Sequence, residues 1–139
     1  MSTMRDAPVP QKLEQPVHRD HTTGLSLAGV FLLLAGAMNA IYGIVALTNQ
    51  DYFREDGLVW STLGVWGWAG LILGIGQMIG GGALLARSAA GAMLASLMAA
   101  LAILLHFLAI GAYPIWSVIL IVVNGLVLWV ISAGADDLG

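Results

Sequence analysis

The chain has 139 residues, 59% of them hydrophobic and 9% charged, with five Lys and Arg against eight Asp and Glu. A soluble domain carries about 25% charged residues to meet water, so this composition excludes a soluble enzyme and a disordered chain. A net charge of −3 with no basic patch excludes a nucleic-acid binder.

The charges fall in clusters, and the apolar elements lie between them. The charge-free stretches are 21–50, 57–86 and 88–135. A helix needs about 20 apolar residues to cross a bilayer, which gives room for one, one and two crossings. The expected architecture is therefore all-α: an integral membrane four-helix bundle of antiparallel, up-down spans.

Residues 1–22 carry three of the four prolines and six charges before position 21, and read as a disordered cytoplasmic tail. His18 and His21 in this region have a spacing that could hold a metal on a helix, but two ligands beside Asp20 make a solvated tail the better reading. Thr22 or Thr23 is placed to cap the first span, about 24–48. Its apolar run from Leu25 to Leu47 is much longer than the roughly 7–15 residues of a secretory signal core, so it reads as a retained span.

Residues 49–60 form an amphipathic connection expected to lie along the membrane interface. Its acidic cluster Asp51, Glu55 and Asp56, beside Arg54, reads as a solvated face. Span two follows over about 61–86, with Ser61 available as its cap. Arg87 makes a very short turn, and Ser88 is placed to cap span three, about 88–110. The string Gly111-Ala112-Tyr113-Pro114 divides the longest stretch, because Gly is favoured just past a helix and Pro in the first turn of the next. Span four runs about 114–134, and residues 135–139 are a short acidic tail. Residues 23–134 thus make up the bundle.

Lys and Arg gather on the cytoplasmic side of membrane proteins. With the N-terminus inside, Arg5, Lys12, Arg19 and Arg87 are cytoplasmic and Arg54 alone is outside. This predicts a multi-pass protein of the cytoplasmic membrane with both termini inside. Trp60, Trp66, Trp116 and Tyr113 then collect at one interface and Trp129 nearer the other, the depth that half-apolar, half-polar rings prefer.

Within the spans the strongest hydrogen-bonding side chains number one per helix: Asn39, Gln77, His106 and Asn124. Each sits on a stripe of small residues. Gly29, Gly36 and Gly43 recur every seventh position in span one. Gly67, Gly70, Gly74 and Gly81 step along one face of span two, and Ala95 and Ala102 do so in span three. Small residues let helix backbones approach closely in a membrane, and buried amides tie helices together. These stripes are expected to be packing seams. The GxxxG pairs Gly70–Gly74 and Gly76–Gly80 suit either internal packing or a dimer face. Of the polar residues, Asn39 and His106 are the pair first expected to meet.

No carboxylate lies within the spans, and there is no Cys. Proton relays and ion paths usually use intramembrane charges, and thiolate, iron–sulfur and disulfide chemistry needs Cys. The expectation is therefore no catalytic constellation, no cofactor and no metal. The expected partners are the lipid bilayer and a homo-oligomer or larger membrane complex, in a structural or accessory role. The alternative is a small-molecule or ion transport or binding protein using an outer-half polar site near Asn39 and His106.

The motifs Trp66-Gly67-Trp68, Ala86-Arg87, His106-Phe107-Leu108-Ala109-Ile110 and Tyr113-Pro114-Ile115-Trp116-Ser117 occur in that order. In this the chain resembles a family of small four-span integral membrane proteins from actinobacteria, catalogued as a domain of unknown function. The likeness covers about residues 25–132. It implies the four-span fold and carries no activity. His106 stands where the family pattern has Asn, and Val65 precedes the first Trp in place of Gly or Thr. An Asn at the His106 position implies that imidazole acid–base chemistry is not the family's shared function.

Overall fold

The structure, a computed structural model, describes residues 21–49, 51 and 62–134. Among the described residues there are four helices and no strand: α1 His21–Thr48, α2 Leu63–Leu85, α3 Ala89–Leu108 and α4 Pro114–Ala133. At about 1.5 Å per residue, even the 20-residue helices α3 and α4 reach about 30 Å, the thickness of a bilayer's hydrocarbon core. All four are long and apolar enough to cross a membrane. The expectations for residues 1–20, for 52–61 with Trp60 and Ser61, and for 135–139 lie outside the described residues.

Helix ends follow local chemistry, with two corrections. α1 continues back to His21, so Thr22 and Thr23 lie inside the helix instead of capping it. Nothing in His21-Thr22-Thr23 forbids helical backbone, and a hydroxyl caps only where the chain departs from it. α2 takes Thr62, not Ser61, as its extended N-cap residue, and without a side-chain cap bond. Ser88 does cap α3: its Oγ accepts from the Gly91 N–H at 3.3 Å. Pro114 opens α4, where its missing N–H removes a donor that would have had no helical partner.

The α2–α3 turn is closed by two bonds. The Ser88 N–H donates to the Ala83 carbonyl at 3.2 Å and the Arg87 N–H to that of Leu84 at 2.9 Å. This is the Schellman pattern, which demands a left-handed residue just past the helix. That residue is Arg87, with φ of 57°.

The helices form a ring in sequence order, α1 on α2, α2 on α3, α3 on α4 and α4 back on α1, while α1 and α3 barely touch across it. The α1–α2 contact is the most extensive, and glycines make it so. A Cβ on Gly36 would lie 2.7 Å from the Gly74 carbonyl oxygen, one on Gly43 2.6 Å from that of Gly67, and one on Gly29 3.1 Å from that of Gly81. The two seven-residue stripes therefore face each other, numbering rising along one as it falls along the other. Gly80 of α2 packs against the backbone of Ala95, and Gly91 of α3 against Ala83, so the Gly80 side of α2 is internal too.

The interior differs along the axis. Toward the Arg87 turn it is aliphatic, with Leu25, Leu32, Leu84, Ala95, Ala99 and Val127 in one cluster. Toward the α3–α4 turn it is polar and aromatic. Outside, large apolar side chains are exposed on every helix, among them Ile41, Ile72, Met93 and Ile119. Water would drive so continuous an apolar surface to aggregate, whereas hydrocarbon solvates it.

Candidate functional site

Three of the four intramembrane polar residues form one chain across the interior. Asn39 Nδ2 donates to Gln77 Oε1, Gln77 Nε2 donates to Asn124 Oδ1, and Asn124 Nδ2 donates to the Leu120 carbonyl, each at 2.8 Å. The direction is set at the α4 end. A backbone carbonyl only accepts, so Asn124 must turn its NH₂ toward Leu120 and its oxygen toward Gln77, and the rest follows. All three residues are buried. A buried amide without partners is expensive, and each here has at least one.

His106 is not in this chain, and it is not bonded to Asn39. The pairing first expected from the sequence is replaced by Asn39–Gln77. The reason is ring order: the glycine seam lays α1 against α2, which brings Gln77 beside Gly36 and Asn39, while α3 lies diagonally across from α1.

Asn39 and His106 do share a cavity. It measures about 20 Å³ and lies toward the α3–α4 turn, with Asn39, Tyr42, Trp66, His106, Tyr113 and Ser117 among its walls. All four helices contribute. Tyr42 and Tyr113 meet edge to face, ring centres 6.1 Å apart. His106 Nε2 and Ser117 Oγ are buried and have no hydrogen-bond partner among the described residues. His106 is 7% exposed and Ser117 0%.

Ser117 differs from two other helical hydroxyls. Those of Thr48 and Ser132 donate to the carbonyl four residues back, Ile44 and Leu128, at 2.9 Å, the ordinary way for a hydroxyl on a helix to satisfy itself. Ser117 does not, although Tyr113 presents the corresponding carbonyl. Nor do Ser117 and His106 bond each other, so they lack the nucleophile–base contact that would activate a serine. What remains is a pocket for one hydrogen-bonding oxygen: a polar cavity needs roughly 10–15 Å³ to hold a water.

Of the expected interface aromatics, Trp66 is buried against the cavity, Trp116 and Tyr113 line its edge, and Trp129 is exposed on α4. Of the packing residues, Gly29, Gly36, Gly43, Gly67, Gly70, Gly74, Gly81, Ala95 and Ala102 are all buried. Sequence reasoning did not single out Tyr42 and Ser117 as site residues. The available signal was spacing: Tyr42 is three residues past Asn39, and Ser117 is seven before Asn124 on the same face.

The profile of DUF7144, a domain of unknown function, matches residues 24–136. The chain belongs to this family. The matched DUF7144 region takes in all of α2, α3 and α4, nearly all of α1, and every residue of the cavity. The resemblance to a domain of unknown function is thus borne out. No curated protein and no solved structure matches the chain.

Proposed function

We propose that this DUF7144 protein is a non-enzymatic, multi-pass component of the cytoplasmic membrane, an up-down bundle with both termini on the cytoplasmic side, acting as a structural or accessory subunit. The observation that carries the reading is the contrast between an apolar surface on every helix and an interior joined by an amide chain. Close glycine contacts and satisfied amides are how helices associate where lipid removes the hydrophobic drive. Homo-oligomerisation or entry into a larger membrane complex uses the same exposed faces.

The orientation is tested on the chain's own terms, since it has no Cys. Cysteines introduced singly as Asp51→Cys and Arg87→Cys should react with a membrane-impermeant maleimide from opposite sides, Asp51→Cys from outside and Arg87→Cys from inside. The reverse pattern would overturn the assignment.

The second reading, binding of a small molecule near Asn39 and His106, is favoured by the unpartnered Nε2 of His106 and Oγ of Ser117 in one cavity. A charged solute fits poorly, because among the described residues no charged side chain lines that cavity to pair with it.

A further inference from the structure

We infer that the cavity takes the hydroxyl head of a neutral, long-chain amphiphile whose tail lies in the groove between α2 and α3. This deepens the small-molecule reading above and rests on it.

The head is defined by three features of the cavity. Its volume of about 20 Å³ admits a single oxygen and no phosphate or sugar. Among the described residues none of its walls is charged, so an ionised carboxylate or ammonium would find no opposite charge there. Its two unpartnered atoms are an imidazole nitrogen and a hydroxyl oxygen. A ligand hydroxyl both donates and accepts, so it can bond Ser117 Oγ and His106 Nε2 together, whichever ring nitrogen carries the proton.

The tail is defined by what adjoins the cavity. Leu105 is a wall of the cavity and also of a groove of about 280 Å³ on the surface of α2 and α3. That groove is lined by Ile72, Leu73, Met98, Leu101, Leu104 and Leu108 with Ala69, and contains no polar side chain. A second apolar groove, between α1 and α4, shares no residue with the cavity. An occupant with one polar atom and an apolar chain matches the first pair of spaces and not the second.

The test uses the full chain in lipid nanodiscs and a twelve-carbon alcohol carrying a diazirine midway along its chain. After illumination, the label should map by peptide mass spectrometry to the groove residues of α2 and α3. It should be competed by unlabelled dodecanol and not by dodecane. Ser117→Ala removes one hydrogen bond and a single oxygen, and should weaken labelling about fivefold to tenfold. His106→Phe should weaken it similarly with helix content unchanged, and if that variant fails to fold, Ser117→Ala decides. Equal competition by dodecanol and dodecane, or labelling indifferent to Ser117→Ala, would overturn both this proposal and the binding reading. Competition by ethanol as strong as by dodecanol, with label scattered outside the groove, would overturn the tail assignment and leave the cavity as a site for small hydroxyl compounds.

Discussion

At the Arg87 end of the bundle, Leu25, Leu32, Leu84 and Val127 fill the interior around Ala95 and Ala99 with aliphatic groups. At the α3–α4 end, Asn39, Tyr42, His106 and Ser117 surround a space that those side chains leave open. Both ends are closed on one side by the same glycine seam, so the α1–α2 separation does not distinguish them. What differs is how the groups are satisfied. The aliphatic end needs only close contact, which shape alone provides. The polar end needs each donor matched to an acceptor, and it reaches that for the amides while leaving an imidazole nitrogen and a hydroxyl unmatched. Shape alone serves at one end, and incomplete matching leaves two polar atoms open at the other.

The largest effect should come from breaking the seam both ends share. Gly36→Leu and Gly74→Leu push a side chain into the facing backbone, with Gly36 and Gly74 each against the other's carbonyl. Backbone on a packed helix cannot yield as a flexible side chain can, so each should cost about 3 kcal/mol or more. Gly125→Leu is the control, since a Cβ there meets nothing within 4 Å. Unfolding in mixed detergent micelles, followed by circular dichroism, should separate the first two sharply from the third. If all three unfold alike, the seam does not hold the bundle.

Next in size is the centre of the amide chain. Gln77→Leu leaves Asn39 Nδ2 and Asn124 Oδ1 buried without their Gln77 partners, and should destabilise by about 2 kcal/mol. A double-mutant cycle of Gln77→Leu with Asn124→Leu measures the coupling directly, expected near 0.6–1.7 kcal/mol as for other intramembrane amide pairs. A coupling of zero would mean that the polar end, like the aliphatic one, is held by shape.

This division also explains what could be read from the sequence. The four helices were legible because charge spacing and bilayer thickness act on one segment at a time. The glycine stripes were legible for the same reason: a seven-residue period is a property of a single helix. That the stripe of Gly29, Gly36 and Gly43 meets that of Gly67, Gly74 and Gly81 is a relation between two helices, and neither period contains it. Shared depth in the outer half makes His106 the expected partner of Asn39. Ring order overrode depth, and the length of the Gln77 side chain did the rest. The cavity was half legible. Asn39 and His106 announced themselves as polar residues in apolar spans, whereas Tyr42 and Ser117 resemble ordinary interface and packing residues until four helices bring them together. That α2 starts after Thr62 and not after Ser61 was not legible either, since adjacent hydroxyls offer two cap positions.

The smallest expected effect is a gain, and it isolates the aliphatic end. Arg87 occupies the left-handed position of the Schellman turn, where a side chain crowds the following carbonyl and costs about 1–2 kcal/mol. Glycine adopts the same backbone without that clash but loses more chain entropy on folding. Arg87→Gly should therefore stabilise the bundle by a net of about 0.5–1 kcal/mol, read as a higher midpoint in the same micelle titration. The gain should be independent of Gln77→Leu, because the two sites sit at different depths and share no partner. It also separates conformation from charge. Arg5, Lys12 and Arg19 still bias the N-terminus inward when Arg87 is gone, so the labelling pattern of Asp51→Cys should be unchanged in the Arg87→Gly background. An Arg87→Gly variant that is less stable than the parent would show that the arginine head group holds the turn through contacts its backbone does not reveal. An inverted labelling pattern would show instead that this residue, and not the N-terminal segment, sets the orientation.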